Sequence, residues 1–176
     1  RQKHLTPVSI NPGPTFADLT GMHMHLMERP TVLLITPSGA AALVLPQLEQ
    51  LKLGSTRMDL KPYLYPDNPA TWQDAFSTAF RELGLRNGRV AVEPRGMRYL
   101  ELNFLQSAAL DCTIEDGSAV FETLRLRKDP DELAKMQQAA QIAQNALLET
   151  LKTVHPGQTE KQIAAELVIA LYCAGS

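Results

Sequence analysis

Two of the four histidines in the chain are separated by a single methionine, in the stretch LTGMHMHLMERP (residues 19–30). In an extended strand, side chains two residues apart point to the same side, so His23 and His25 could offer two imidazoles to one metal ion. A metal site also needs a third and usually a fourth ligand, and neither His4 nor His155 has carboxylates clustered beside it. The residues therefore do not predict a self-contained metal site. Two loop histidines with ordinary packing are the alternative.

Arg29 follows the histidines and adds a second kind of chemistry. A guanidinium group can grip a carboxylate with two parallel hydrogen bonds. The commoner role of such an arginine is a loose surface pair, here with Glu28, and both interpretations stay open. Met22, Met24 and Met27 alternate with these residues, a pattern that favours filling of the core over an adaptable binding surface.

Nucleophilic chemistry has little support in the sequence. Neither Cys112 nor Cys173 lies in an activating context, and no G-x-S-x-G stretch is present. The stretch NPGP (residues 11–14) suits a rigid turn better than a phosphate-binding loop. The residues therefore do not predict a nucleophilic site.

Composition narrows the class of protein. With 176 residues, 44% hydrophobic and 20% charged, the chain can bury a sizeable core. The net charge of −2 and the lack of a basic block argue against a nucleic-acid partner. No apolar run is long enough to span a membrane, and the polar N-terminus does not resemble a signal peptide. The two distant cysteines fit a reduced, cytoplasmic protein.

The elements that must position these residues alternate between strands and helices. Two apolar runs, residues 30–36 and 41–46, flank the turn signal Pro37-Ser38-Gly39 and predict a buried hairpin. Residues 68–85 and 96–110 predict amphipathic helices, and residues 88–93 and 112–116 predict strands. This alternation predicts an α/β front domain, with a mixed β-sheet flanked by helices, over residues 1–126.

Residues 127–176 predict a different structure, a pair of helices. The first helix, residues 127–154, begins with a capping box formed by Asp129 and Glu132, with Pro130 at its first position. The second begins at Thr159, with Gln162 three residues on. No strand follows on which the pair could pack, so we expect a longer protein. The apolar face predicted for the first helix comprises Leu133, Met136, Ala140, Ala143, Leu147, Leu151 and Val154.

Several of these stretches together resemble the creatinase/prolidase family. In the front half the resemblance lies in Leu19-Thr20-Gly21, the hairpin, and Pro46-Gln47-Leu48-Glu49. The second half is more specific, since it resembles the start of the pita-bread catalytic domain of that family. The matching residues there are Arg125, Lys128, Asp129, Pro130 and Glu132, followed by Pro156, Gly157, Thr159, Glu160 and Leu167.

The resemblance implies a metal-dependent peptidase acting on Xaa-Pro bonds, of the aminopeptidase or dipeptidase type. Its two divalent ions, manganese, cobalt or zinc, would be held by two Asp, one His and two Glu residues. In the family pattern these five ligands all follow the second helix. No residue of this chain therefore inherits a metal-binding or catalytic role, and the chain alone is expected to be inactive.

The front domain in this family commonly forms a homodimer and covers the substrate cleft, sometimes that of the neighbouring subunit. The resemblance therefore makes His23, His25 and Arg29 candidate contacts for short Xaa-Pro peptides, in the same subunit or in trans. Two alternatives share the fold. One is the front domain of a creatinase-like amidinohydrolase, and the other is a non-catalytic peptide- or protein-binding module.

Overall fold

The computed structural model describes residues 6–109 and 111–175. The chain divides into two compact units, residues 1–125 and residues 126–176. The first unit contains the sheet and the second contains a helix pair. Each unit is described by itself below.

The predicted hairpin is confirmed and forms the centre of the sheet. Its strands β2 (Val32–Ile35) and β3 (Ala41–Pro46) pair antiparallel, with Val32 opposite Val44. Every residue of β3 is buried, as are the first three residues of β2. Because both faces of these strands are covered, their sequences are continuous apolar runs without alternating polar residues.

Six strands form one mixed sheet in the order β4-β3-β2-β1-β5-β6, which confirms the predicted α/β architecture. Strand β2 is antiparallel to both neighbours, and the remaining pairs are parallel. Five strands therefore end at one edge of the sheet, here called the carboxyl edge, and β2 begins there. The other four strands are β1 (Val8–Ile10), β4 (Lys61–Tyr65), β5 (Arg89–Val92) and β6 (Thr113–Asp116).

Helices cover both faces of the sheet and create two hydrophobic cores. Helices α2 (Trp72–Glu82) and α3 (Tyr99–Ala108) supply Phe76 and Leu105 to one core. The other core contains Phe16 of α1 (Pro14–Thr20), Phe121 of α4 (Ser118–Leu126), and Met22 and Met24. The loop that carries the two histidines is thus attached to the second core.

Most of the predicted helices and strands are shorter in the structure than in the prediction. The helix predicted over residues 68–85 is α2, preceded by a 3₁₀ turn at Pro69–Thr71. The helix predicted over residues 96–110 is α3, and Leu110 lies outside the described residues. Strands β5 and β6 agree with their predictions to within one residue at each end.

Several short elements were not predicted. These are β1, α1, β4, α4 and a 3₁₀ segment at Gln47–Ser55. Strand β4 contains Pro62 and lies at the end of the sheet, where a missing N–H is tolerated but the strand signal is weak. The predicted rigid turn NPGP leads directly into α1, with Pro14 as its first residue.

The second unit consists of α5 (Pro130–Thr153) and α6 (Glu160–Cys173), and both predicted capping boxes are present. At α5 the Glu132 N–H donates to Asp129 Oδ1 at 2.8 Å and the Asp129 N–H donates to Glu132 Oε2 at 2.7 Å. The large side chains of the predicted apolar face of α5 are exposed in this chain, and Ala146 and Thr150 are the buried residues of that helix. Within the described residues, no helix has the length and hydrophobicity that a membrane span requires.

Candidate functional site

The loop at residues 21–30 connects α1 to β2 and lies at the carboxyl edge. The LTG stretch fixes its start. Gly21 adopts a left-handed conformation (φ 74°) and its N–H donates to Ala17 O at 2.8 Å, which ends α1. The buried Thr20 hydroxyl donates to Phe16 O at 2.7 Å and accepts the Met22 N–H at 3.0 Å. These bonds set the direction in which the loop leaves the helix.

Methionines and histidines alternate along the loop, and they face opposite sides. Met22 and Met24 are 1% and 8% exposed and pack in the core, whereas His23 and His25 are exposed. The prediction that the methionines fill the core is therefore confirmed for Met22 and Met24. It is wrong for Met27, which is exposed. Neither imidazole has a hydrogen-bond partner in the part of the chain that the structure describes. Both histidines are thus exposed to solvent, at alternate positions of one segment.

Metal-binding groups do not gather around these histidines. Within residues 6–109 and 111–175, no cluster of three or more His, Cys, Asp or Glu side chains is placed to hold an ion. Two imidazoles alone do not complete a structural or catalytic metal site. The arrangement suits hydrogen bonding to a ligand better than metal coordination.

Arg29 pairs with Asp67, which follows β4, and not with its neighbour Glu28. Its Nε donates to Asp67 Oδ1 at 2.6 Å, and Nη2 contacts the same oxygen. This hydrogen bond raises the pKa of the Arg29 guanidinium above its ordinary value. These contacts use Nε and Nη2, and Nη1 has no partner among the described residues, so Nη1 remains able to donate to a ligand. The arginine borders a cavity of about 350 Å³ that is also lined by Pro46, Gln47, Leu48, Tyr65 and Asp67.

Arg98 ties the middle of the loop to helix α3. Its Nη1 donates to the Met27 carbonyl oxygen at 2.7 Å. Its Nε donates to both oxygens of Glu101, at 3.1 and 3.0 Å, and Nη2 contacts Glu101 Oε1. Hydrogen bonding to Glu101 raises the pKa of Arg98. The Arg98 guanidinium therefore stays charged and bridges the loop and the helix.

Tyr65 holds the end of the loop. Its hydroxyl donates to the Pro30 carbonyl oxygen at 2.6 Å, and its ring lies 5.4 Å from that of Trp72. Burial raises the pKa of the Tyr65 hydroxyl, so it remains a donor at all ordinary pH values. The loop is thus attached at Met27, Arg29 and Pro30, with two exposed histidines just before these attachments.

A further polar group lies at the same edge, where β1 and β5 end. Thr15 Oγ1 donates to Glu93 Oε1 at 2.7 Å, which connects the first turn of α1 to the end of β5. Asn11, which follows β1, is buried, and its side-chain amide has no hydrogen-bond partner among the described protein atoms. The carboxyl edge is therefore polar on both sides of the sheet centre.

Sequence reasoning identified His23, His25 and Arg29 and missed the residues that hold them. The structure pairs Arg29 with Asp67 and attaches the loop through Tyr65 to Pro30 and through Arg98 to Met27. Among the described residues, His23 and His25 take part in none of these contacts. Arg98 and Glu101 are three residues apart in a predicted helix, which signals a local ion pair. No local signal connects that pair to Met27.

Comparison with known proteins identifies the family of this chain. Residues 15–127 match the model of the creatinase/prolidase N-terminal domain. Among solved structures, a dipeptidase, PepE, from Mycobacterium ulcerans is 26% identical over 99% of this chain and 46% of its own, with a TM-score of 0.79.

Two other relatives show the same fold. A dipeptidase from Pyrococcus horikoshii OT3 is 23% identical over 94% of this chain and 45% of its own, with a TM-score of 0.79. An X-Pro aminopeptidase from Thermotoga maritima MSB8 is 19% identical over 98% of this chain and 47% of its own, with a TM-score of 0.77. The chain thus spans a little under half the length of these relatives. A search of curated protein sequences finds no match. The chain belongs to the creatinase/prolidase family, and residues 15–127 are its N-terminal domain.

Proposed function

We propose that this chain is the N-terminal, non-catalytic part of a metal-dependent Xaa-Pro peptidase, of the aminopeptidase P or prolidase type. In this proposal residues 1–126 form the N-terminal domain and residues 127–176 begin the pita-bread domain. Membership of the family supports it, as do relatives described as dipeptidases and as an X-Pro aminopeptidase. The complete peptidase is a cytoplasmic homodimer, and this chain by itself does not hydrolyse peptides.

The metal centre belongs to the remainder of the peptidase. Two divalent ions, manganese, cobalt or zinc, would activate a water molecule and polarise the scissile carbonyl when bound. The residues of this chain bind and orient the peptide. They also help to exclude water by covering the cleft, in trans from the neighbouring subunit.

The observation that carries the proposal is the outward placement of two histidines and one arginine on a loop attached at three points. An imidazole N–H of His23 or His25 donates to a peptide carbonyl or carboxylate. Arg29 Nη1 donates to the terminal carboxylate of a short peptide, since the other two guanidinium nitrogens are held by Asp67. Because the loop is already attached, less conformational freedom is lost when the peptide binds.

Alanine substitutions in the complete peptidase test this role. Losing a hydrogen bond to a charged group costs about 1.5–3 kcal/mol, so His25→Ala or Arg29→Ala should raise KM for Xaa-Pro dipeptides about tenfold or more. His23→Ala should act in the same direction. The matched controls are Arg86→Ala, at an exposed residue shortly before β5, and His155→Ala, at an exposed histidine of the helix pair. If KM and kcat are unchanged in all three loop variants, the proposal is wrong.

A further inference from the structure

Glu101 is the one charged residue that is buried among those the structure describes, with 0% of its side chain exposed. Removing a carboxylate from water is costly, and a buried ion pair often stabilises a fold no more than well-packed apolar residues would. Stability alone therefore does not account for this carboxylate. Its effect on Arg98 offers a better explanation.

The geometry of Arg98 couples this buried carboxylate to the loop. A guanidinium group is a rigid planar fork, so fixing two of its nitrogens fixes the direction of the third. Glu101 fixes Nε and Nη2, and the third nitrogen, Nη1, reaches the Met27 carbonyl at 2.7 Å. This contact joins residues 71 positions apart in the sequence.

Met27 occupies the point of the loop where this contact has most effect. It lies two residues after His25 and two before Arg29, so fixing its carbonyl restricts the backbone that carries both side chains. The side chain of Met27 is exposed and contributes little packing of its own. The Arg98 contact replaces the restraint that a buried side chain would give.

We infer that Arg98 and Glu101 are positioning residues, which hold the Met27 carbonyl so that His23, His25 and Arg29 face a bound peptide. Arg98 does not touch the peptide in this account and acts through the loop. The inference rests on the proposed function for its consequence in catalysis, but the restraint on the loop can be measured by itself. A lysine cannot replace Arg98, because an ammonium group lacks the planar fork.

The test uses the double variant Arg98→Met/Glu101→Met, which removes both charges and leaves no buried carboxylate unpaired. In ¹⁵N relaxation of this chain, the order parameters at His23, His25 and Met27 should fall from about 0.85 to below about 0.6. The urea midpoint should stay close to that of the unmodified chain. The matched control is Arg89→Met/Glu115→Met, which removes an exposed Arg–Glu pair that joins β5 and β6. Unchanged order parameters in the loop would overturn the inference.

Kinetics of the complete peptidase supply the second readout. The Arg98→Met/Glu101→Met variant should raise KM for Xaa-Pro dipeptides about tenfold with a smaller change in kcat. Adding His25→Ala to the double variant should raise KM little further. The single variant Arg98→Lys should also show a raised KM, because lysine lacks the planar fork. A full additive effect of His25→Ala would contradict positioning through the loop. If His23→Ala, His25→Ala and Arg29→Ala all leave KM and kcat unchanged, the proposed function fails, and the order parameters still decide whether the pair holds the loop.

Discussion

The sheet unit and the helix pair are stabilised in different ways. The sheet unit buries large side chains on both faces of its sheet, such as Phe76 of α2 in one core and Leu43 of β3 in the other. Among the described residues of the helix pair, Ala146 and Thr150 are the buried ones. Large apolar side chains of the pair are exposed: Leu133, Met136, Leu147, Leu148, Leu151, Val154, Val168, Ile169 and Tyr172.

Contacts between neighbouring residues stabilise the helix pair, whereas tertiary contacts stabilise the sheet unit. The helix pair has two complete capping boxes, which satisfy backbone N–H groups with residues three positions apart. The sheet unit instead depends on contacts between residues distant in sequence, such as the pairing of β1 with β5. Substitutions in the core should therefore have large effects in the first unit, and changes at caps should dominate in the second.

The largest effect is expected at the core of the sheet unit. Phe76 is fully buried and stacks on Phe104 with ring centroids 5.1 Å apart. Phe76→Ala should lower the free energy of unfolding by about 3–5 kcal/mol, through lost transfer energy and a cavity. Urea titrations followed by the fluorescence of Trp72, the single tryptophan, measure it in the sheet unit, and far-UV circular dichroism follows the helix pair. Leu147→Ala in the helix pair should cost less than about 0.5 kcal/mol, and equal losses at both positions would refute the comparison.

An intermediate effect is expected at alkaline pH, through Tyr65. Because its pKa is raised in the folded state, the stability from its neutral hydroxyl is complete below the unfolded pKa near 10 and declines above it. The free energy of unfolding should fall by up to about 1.4 kcal/mol per pH unit there. Comparing unfolding curves of the unmodified chain and Tyr65→Phe between pH 9 and 11 tests this. Tyr172→Phe, at an exposed tyrosine of the helix pair, is the control. Because burial also raises the pKa of Tyr63, part of the pH dependence should remain in Tyr65→Phe, and a pH dependence as steep as that of the unmodified chain would contradict the assignment.

A smaller effect is expected at the caps of the helix pair. Asp129→Ala removes the acceptor of the Glu132 N–H and should cost about 1 kcal/mol. The loss should appear as reduced protection of the first-turn amides of α5 in hydrogen exchange, with no change in β3. Asp129→Asn, which keeps the side-chain acceptor, should retain most of the protection. Equal losses in both variants would show that the charge, and not the cap, matters.

Sequence reasoning succeeded where a feature depends on residues that are close together in the sequence. The capping boxes at Asp129 and Thr159 were predicted because every participating residue lies within one helical turn. The hairpin was predicted because its apolar runs and turn are contiguous. Strands β1 and β4 were missed, since one has three residues and the other contains Pro62.

The candidate site was predicted in part for the same reason. The spacing of the methionines is a local pattern, and it correctly predicted that Met22 and Met24 lie in the core, although Met27 is exposed. The contacts that hold the loop are non-local: Arg29 lies 38 residues from Asp67, and Arg98 lies 71 residues from Met27. No periodicity or spacing in the sequence specifies such pairs, so they required the fold.

The role of the loop in the neighbouring subunit can be measured most directly with mixed dimers of the complete peptidase. One parent carries His23→Ala/His25→Ala/Arg29→Ala with an intact metal centre, and the other has an intact loop with an inactivated metal centre. Random reassociation makes half of the dimers mixed, and one site in each mixed dimer is complete only if the loop acts in trans. The account predicts recovery of about one quarter of the unmodified activity, assayed on an Xaa-Pro dipeptide. Activity no higher than that of the unmixed parents would contradict it.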